Sequence, residues 1–331
     1  MNIGIIGAGG IAAAHALGIN HLPDEVFRLR ASCDTDFAKA AAFCEKYGGE
    51  PVGRADELLA DPEVDAVIVA LPHGLHASVG IQALRAGKHV LVEKPMAPTV
   101  AECRELIAAA AETGRTLQVG HEFYLYPCIR KAREILQSGE LGRPLLMRGE
   151  LCSYIYNRLD TWWMDFEKAR GGPAINMGVH QFDTASFLAG RPPRRARGEF
   201  RQLDSRAAPG IEDYFRMELD FGDGLTADCR LYSFLEKADF AKPNMTVLCE
   251  RGWVSAWSNE LLTQTGKEPV ETRHRQDGSQ AFMVFAEQMR QFHDFIVKGV
   301  RPRATGEFGL AAVACIEAAG RGGLGPWVDI A

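Results

Sequence analysis

The sequence lacks the cysteine and histidine spacings of disulfide scaffolds and zinc sites. Its eight cysteines are scattered over 331 residues, with no C-x-x-C pair and no Cys/His spacing that suits zinc. We therefore interpret them as reduced, small apolar side chains, and we predict no metal site. Thiols stay reduced in the cytoplasm, which is where we expect the protein to function.

Long apolar runs and an excess of positive charge are also missing. No apolar run approaches transmembrane length, and the opening MNIGIIGAGG already has the pattern of a strand, so we expect neither a membrane span nor an export signal. A net charge of -6 argues against a nucleic-acid partner, which normally demands a basic face. One basic run, from Arg191 to Arg206, is interrupted by acidic residues. We interpret it as a solvated loop that opens into a strand, with a phosphate-binding patch as the alternative.

The first 120 residues alternate short apolar runs with helical patterns, which predicts a parallel sheet with crossover helices. The clearest helix begins at Thr99, which has capping-box spacing to Glu102, and ends at Gly114. Another begins near Thr35, with Asp36 as a candidate cap. The predicted strands cover residues 2–6, 29–33, 66–71, 89–92 and 116–120.

After residue 120 the pattern changes, and strands follow strands. FRMELDFGDGLTADCRL predicts two strands joined at Gly222 and Asp223, and MTVLCERGWVSAW two more joined around Arg251 and Gly252. We predict a Rossmann dinucleotide-binding domain over residues 1–121 and an α+β domain over 122–331, with a large open, mostly antiparallel sheet for substrate binding and oligomerisation. A sheet face of that size predicts a homodimer or homotetramer. A late helix is predicted to bury Phe282, Phe285, Met289, Phe292, Phe295 and Ile296.

The stretch GIIGAGGIA, directly after the first strand, predicts a dinucleotide site. Gly7, Gly9 and Ala12 fit the G-x-G-x-x-[GA] fingerprint, in which the first glycine permits a tight turn and the second lets the backbone approach a pyrophosphate. Asp34 follows 22 residues after Ala12, at the end of the second strand. A carboxylate there accepts hydrogen bonds from the ribose and repels a 2′-phosphate, which favours NAD over NADP. A glycine turn with a helix-capping aspartate is the alternative.

With these motifs the chain resembles the Gfo/Idh/MocA oxidoreductase family over nearly its whole length. The resemblance rests on GAGGIA, ALPHGLH, AGKHVLVEKP, SGELGRP and GGPAINMGVHQFD. It implies an NAD(P)-dependent dehydrogenase that acts on a CH-OH group of a sugar, cyclitol or related polyol. The family also contains NAD-dependent glycoside hydrolases and non-catalytic ligand-binding regulators, and both stay open as alternatives.

The resemblance also implies site residues. Lys94 of the E-K-P motif and His180 of the glycine-rich block match residues that line the family's nicotinamide pocket, and a cis bond is implied before Pro95. The implied roles are proton transfer for His180 and orientation of the substrate oxygen for Lys94. The alternatives are that Lys94 and Pro95 form an ordinary surface strand end, and that His180 is a core residue or a metal ligand. The predicted cofactor contacts are Gly7, Gly9, Gly10, Ile11, Asp34, Leu71, Pro72, His73, His76, Glu93 and Lys94. The predicted substrate contacts are His121, Glu122, Tyr124, Tyr154, Trp163, Asn176, His180 and Asp183, of which Asn176, His180 and Asp183 share one helix face.

The sequence departs from the family pattern in three places, the last of which covers two neighbouring residues. Asn176 stands where the family usually has an aspartate, so no carboxylate there can tune its neighbours, although an amide can still bind substrate hydroxyls. His73 replaces the usual asparagine after the third predicted strand. Phe123 and Tyr124 stand where many relatives carry basic residues, which favours an uncharged polyol over an acid sugar or phosphate.

Overall fold

The computed structural model describes residues 1–159, 161–236, 244–275 and 282–330. They form two compact units. Met1–Glu122 and the segment that ends at Leu310 make up the first unit, and the second starts at Phe123 and takes in the residues from Ala311 onward. The predicted domain 122–331 also contains residues 160, 237–243, 276–281 and 331, which lie outside the described residues.

The first unit is built on a six-stranded sheet, all of whose pairs are parallel. Its strand order, β3-β2-β1-β4-β5-β6, is that of a Rossmann fold and confirms the predicted fold class. The strands are β1 (Asn2–Ile6), β2 (Arg28–Cys33), β3 (Glu50–Val52), β4 (Ala66–Val69), β5 (His89–Val92) and β6 (Leu117–Val119). The helices are α1 (Gly10–Asn20), α2 (Phe37–Tyr47), α3 (Ala55–Ala60), α4 (His76–Arg85), α5 (Val100–Thr113) and α9 (Phe282–Lys298).

The predicted helix ends of this unit are confirmed. The Thr99 hydroxyl accepts the Glu102 N–H at 3.2 Å, which is the N-cap bond that the capping-box spacing predicts, and donates to the Glu102 carboxylate at 2.7 Å. Gly114 ends α5 in the left-handed conformation with φ of 65°. Asp36 accepts the Ala38 N–H at 3.1 Å and so caps α2.

Helix α9 belongs to the first unit, whereas the sequence analysis placed it in the second domain. It packs along α1, and the Phe27 and Phe292 rings stack with their centroids 5.8 Å apart. Phe285, Met289 and Phe292 are buried as predicted, while Phe282 is only partly buried, as are Phe295 and Ile296. The helical period therefore identified the apolar face, but not the sheet that this face covers.

The second unit is built on a nine-stranded sheet in the order β14-β13-β12-β11-β7-β10-β9-β8-β15. Its pairs are antiparallel except β7 with β10, which confirms the prediction of a mostly antiparallel sheet. The strands are β7 (Pro144–Cys152), β8 (Arg195–Arg201), β9 (Tyr214–Asp220), β10 (Thr226–Tyr232), β11 (Asn244–Cys249), β12 (Gly252–Ala256), β13 (Glu260–Thr265), β14 (Glu271–Arg275) and β15 (Val328–Asp329). The helices are α6 (Pro127–Ser138), α7 (Phe166–Ala169), α8 (Pro173–Ala189) and α10 (Gly306–Gly322), the last of which begins in the first unit.

The two faces of the nine-stranded sheet differ in composition. On one face, alternate residues of β9 and β10 such as Phe215 and Leu231 are fully buried, and α8 packs against these strands. The other face, which we call the open face, carries cross-strand ion pairs. Arg197 reaches Glu218 at 2.6 Å, and Arg216 bonds to the same carboxylate at 2.6 Å. Arginines of the basic run are therefore paired with acids within the sheet.

Candidate functional site

The glycine loop between β1 and α1 has the geometry of a phosphate cradle. Gly7 has φ of 102°, and a β-carbon there would overlap the Ala70 carbonyl oxygen, so the tight turn requires glycine. A β-carbon on Gly9 or Gly10 would meet no heavy atom of the described residues within 4 Å. The start of α1 is therefore unobstructed at these two glycines, which fits a close approach of the pyrophosphate of a dinucleotide to the helix amino terminus.

Asp34 lies at the carboxyl end of β2 and is tied to the glycine loop. Its carboxylate accepts the Ala8 N–H at 3.0 Å and the Asp36 N–H at 3.0 Å. It also borders a cavity of about 390 Å³ whose walls include Leu71, Leu75, Val79 and Arg54. Asp56 lines the same cavity. Apolar side chains together with the Asp34 carboxylate beside the glycine loop suit the adenosine half of a dinucleotide.

The loop after β4 carries the predicted cofactor contacts Leu71, Pro72, His73 and His76. His73 and His76 are buried, with their rings edge to face at 5.7 Å. His76 Nε2 lies 2.7 Å from the Leu71 carbonyl and Nδ1 lies 2.7 Å from the Pro95 carbonyl. Burial lowers the pKa of His76, and the two carbonyl contacts oppose that shift. The ring thus joins two predicted cofactor loops through their backbones.

The E-K-P motif follows β5, and the Lys94–Pro95 peptide is cis, as the resemblance implies. Glu93 is buried, and its carboxylate contacts His15 Nε2 at 2.6 Å and accepts the Lys94 N–H at 3.1 Å. Burial tends to raise the pKa of Glu93, but the bond to His15 and nearby positive charge outweigh it, so the pKa is lowered. An ionised Glu93 therefore fixes the backbone from which Lys94 extends.

His121 and Glu122 follow β6 and are both buried. The His121 ring packs edge-on to Phe308 at 5.2 Å, and within the described chain neither of its ring nitrogens has a hydrogen-bond partner. Burial lowers the pKa of His121 to about 3, with help from the positive charges of Lys94 and Arg303. His121 is therefore a neutral imidazole at physiological pH, able to donate one hydrogen bond and accept another.

Helix α8 carries the predicted substrate face of the second unit. Asn176 and His180 are buried, and Asp183 is fully buried. Burial does not single out their predicted common face, because 14 of the 17 residues of α8 are buried. The Thr184 hydroxyl donates to the His180 carbonyl at 2.9 Å.

Aromatic rings surround His180 within its own unit. The Phe123 ring lies 4.2 Å from the imidazole, centroid to centroid, and the Trp257 ring lies 4.8 Å from Phe123. Trp257 follows β12 and was missed by the sequence analysis, because 77 residues separate it from His180 in the chain. Trp257 is the last residue of MTVLCERGWVSAW, a segment for which the sequence predicted only two strands.

The other predicted substrate contacts occupy three different settings. Tyr124 is buried, with its ring 6.0 Å from Phe187. The Tyr154 hydroxyl accepts a hydrogen bond from Arg206 at 3.2 Å. Trp163 stacks on Trp162 at 4.3 Å, so one face of its indole is covered by protein.

Comparison with known proteins agrees with this architecture. The profile of the oxidoreductase family with an NAD-binding Rossmann fold, Gfo/Idh/MocA, matches residues 1–121, and that of the Gfo/Idh/MocA C-terminal domain matches residues 129–255. A 1,5-anhydro-D-fructose reductase of Ensifer adhaerens is 31% identical over 317 residues, which cover 94% of this chain and 92% of the relative. A putative myo-inositol dehydrogenase of Sinorhizobium meliloti is 25% identical, with a TM-score of 0.83 over all of both chains.

A levoglucosan dehydrogenase, solved with NADH and levoglucosan, shares the fold with a TM-score of 0.89 at 19% identity, over all of this chain and 99% of the other. Both domain profiles match in chain order, and the reductase aligns over nearly the full length. The protein is therefore a member of the Gfo/Idh/MocA oxidoreductase family.

Proposed function

We propose that this oxidoreductase transfers a hydride between NAD and a secondary alcohol or ketone of a sugar, cyclitol or related polyol. The observation that carries the proposal is a dinucleotide cradle in the first unit, in a chain that has both Lys94 after β5 and His180 on α8. The glycine loop and Asp34 accommodate the cofactor, which when bound supplies the redox chemistry. A ligand-binding regulator would need no such lysine and histidine.

In this proposal the protein handles the proton and the charge. His180 takes the proton of the substrate hydroxyl, since an imidazole is the side chain whose ordinary pKa best suits base catalysis near neutrality. Lys94 donates to the same oxygen and stabilises its developing negative charge. In the reverse direction, His180 returns the proton to the alkoxide.

The residues around His180 favour an uncharged substrate. Phe123 and Trp257 supply aromatic faces on which the C–H face of a sugar ring can pack, and Asn176 supplies an amide for hydroxyl groups. The relatives named above are a reductase and dehydrogenases whose names refer to sugars or inositol. We therefore propose a neutral polyol or sugar as substrate.

The proposal is tested by incubating the protein with NAD or NADP and a panel of polyols, aldoses, anhydrosugars, aminosugars and nucleotide sugars. The expected result is an increase in the absorbance of the reduced nicotinamide when a neutral polyol is added. Absence of turnover in both directions across the panel would reject the dehydrogenase proposal. Release of nitrophenol from a nitrophenyl glycoside, with no net change in NAD, would favour the glycoside hydrolase instead.

We predict preference for NAD over NADP, because Asp34 at the cavity rim repels a 2′-phosphate. Asp34→Ser should weaken NAD binding by about tenfold, since it removes hydrogen bonds to the ribose and to Ala8 that together are worth about 1–2 kcal/mol. The same change should reduce the ratio of NAD affinity to NADP affinity. Arg54 also lines the cavity, and without the Asp34 carboxylate it can approach the 2′-phosphate of NADP.

Fluorescence titration of both cofactors measures this effect. Asp24→Ser is the matched control, since it makes the same change at an exposed aspartate of the same unit that does not line this cavity. Tighter binding of NADP than NAD by the unmodified protein would contradict the prediction.

We also propose that the open face of the nine-stranded sheet joins two or more subunits. Leu146, Leu248 and Trp253 are neighbours in one cross-strand row of this face. The two leucines are each 40% exposed. A continuous apolar row on a broad sheet is an association surface, because burying it against a second copy removes it from water.

Replacing both Leu146 and Leu248 with aspartate should therefore convert a dimer or tetramer into monomer, since two buried charges would oppose association. Light scattering coupled to gel filtration gives the mass. Val297→Asp is the control, because Val297 is exposed on α9 of the other unit. An unmodified protein that is already monomeric would reject the interface.

None of the described helices is long and apolar enough to cross a membrane. The eight cysteines form no disulfide, and seven of them are buried. Thiols kept in this state are typical of a reducing compartment, and we propose a cytoplasmic location on that ground.

A further inference from the structure

Helix α8 begins without a cap of its own. Gly172 occupies the N-cap position and has no side chain to accept a hydrogen bond, and Pro173 follows it in the first turn. The carboxylate of Glu212, from the segment just before β9, takes the place of a local cap. Its Oε1 accepts the Ala174 N–H at 2.7 Å and its Oε2 accepts the Gly172 N–H at 3.0 Å.

The fit between Glu212 and the helix start is close. A β-carbon on Gly172 would overlap the Glu212 carbonyl oxygen and come within 2.8 Å of its carboxylate, so only glycine allows this approach. Burial raises the pKa of Glu212, and the N–H groups of Ala174 and Gly172 oppose that rise. The position of a negative charge at the amino end of α8 also suits the dipole of the helix.

Glu212 is itself held in place by the next residue. Asp213 is fully buried, and its carboxylate accepts the Leu203 N–H at 2.7 Å, the Asp204 N–H at 2.8 Å and the Tyr156 hydroxyl at 2.6 Å. Three bonds to one buried carboxylate leave the segment little freedom to move. Glu212 therefore clamps α8 to a fixed point of the second unit.

The clamp acts on the part of the helix that carries the proposed chemistry. Asn176 is in the turn that follows Gly172, and its N–H donates to the Gly172 carbonyl at 3.4 Å. His180 lies one turn further on. Because a helix moves as a rigid rod, a shift or rotation of its first turn displaces both side chains.

We propose that Glu212 is a positioning residue for His180 and Asn176, and this inference rests on the proposed function of His180. In this proposal the carboxylate acts through the backbone, by setting the axial position and rotation of the helix that bears the two side chains. A misplacement of a reacting group by about 1 Å can cost on the order of 10²-fold in rate, so the anchor has a catalytic consequence beyond its effect on stability.

The test compares Glu212→Gln and Glu212→Ala with the unmodified protein and with Glu134→Gln. Glu134 is the matched control, because it is an exposed carboxylate of α6 in the same unit that pairs with Lys131 at 2.9 Å. We expect kcat to fall about tenfold in Glu212→Gln, which keeps one acceptor oxygen, and about a hundredfold in Glu212→Ala. NAD affinity should stay within about twofold in both, and kcat should be unchanged in Glu134→Gln.

Hydrogen–deuterium exchange gives a readout that does not depend on the substrate. The amides of the first two turns of α8 should lose protection in Glu212→Ala and keep it in Glu134→Gln. Circular dichroism and thermal unfolding establish that each variant is folded. Unchanged protection in Glu212→Ala overturns the anchor, and lost protection with unchanged kcat overturns its catalytic consequence. If the unmodified protein turns over no compound in the panel, the proposed function fails, while exchange still decides the anchor.

Discussion

His180→Ala is expected to lower kcat by about 10²- to 10⁴-fold, the range in which a positioned general base contributes. The alanine variant lacks the imidazole that is proposed to accept the proton of the substrate hydroxyl, so the alkoxide character needed for hydride transfer has to arise without that base. The imidazole stabilises the transition state, in which the proton is being transferred, and not the bound substrate. We therefore expect kcat and kcat/KM to fall by similar factors.

The measurement is steady-state kinetics in the oxidative direction, with NAD binding followed separately by fluorescence. NAD affinity should be nearly unchanged, because His180 belongs to the second unit and the dinucleotide cradle to the first. Removing a buried imidazole also leaves a cavity, so thermal unfolding must show that the variant is folded under assay conditions.

His274→Ala is the matched control, since it makes the same change at an exposed histidine of β14 in the same unit. It should keep full activity. Partial recovery of His180→Ala by added imidazole would support proton transfer by the side chain. Near-normal turnover in His180→Ala would reject it as the base, and Tyr124, Tyr154 and His121 would be tested in its place.

The architecture of both units was predictable, because short sequence patterns within single elements indicate most of their strands and helices. Strands β1 and β5 begin and end at the predicted residues, since each is a short apolar run bounded by polar residues or turns. Strand β3 was missed. It has only three residues, one of which is Pro51, and it pairs only with β2 at the edge of its sheet, so neither period nor composition marks it.

The support of the candidate site was not predictable in the same way. His15 and Glu93 are 78 residues apart, and Glu212 and Gly172 are 40 apart, so no local pattern links either pair. The sequence nevertheless holds a signal for each. His15 is a polar side chain in the middle of the otherwise apolar run from Ile11 to Ile19, in the helix that follows the glycine loop. Gly172 with Pro173 leaves a helix start that must be capped from elsewhere.

The apolar period of α9 illustrates a further limit. A pattern of this kind shows that one face of a helix is buried, but not which sheet buries it. The chain returns to its first unit after about 160 residues in the second, and that return depends on packing against Phe27 and α1. A domain boundary placed at one point in the sequence therefore misses a helix such as α9, which packs against a unit whose other elements are far away in the sequence.

Lys94→Ala is expected to lower kcat by a similar factor, about 10²-fold or more, because an ammonium that stabilises the developing oxyanion is lost. Some loss of NAD affinity should accompany it, since Lys94 follows the ionised Glu93 at the carboxyl edge of the cofactor sheet. Lys39→Ala, at an exposed lysine of the same unit, should leave both quantities unchanged.

The double variant, in which both Lys94 and His180 are replaced with alanine, tests whether the two residues act in the same chemical step or contribute independently. If the ammonium stabilises the oxygen from which the imidazole takes its proton, the second substitution removes an interaction that the first has already impaired. The two losses in activation free energy should then combine less than additively, as they do for residues that act as a unit. Steady-state kinetics on the two single variants and the double variant measure the coupling. Fully additive losses would show that Lys94 and His180 act in different steps, and Lys94 would then be assigned to cofactor binding alone.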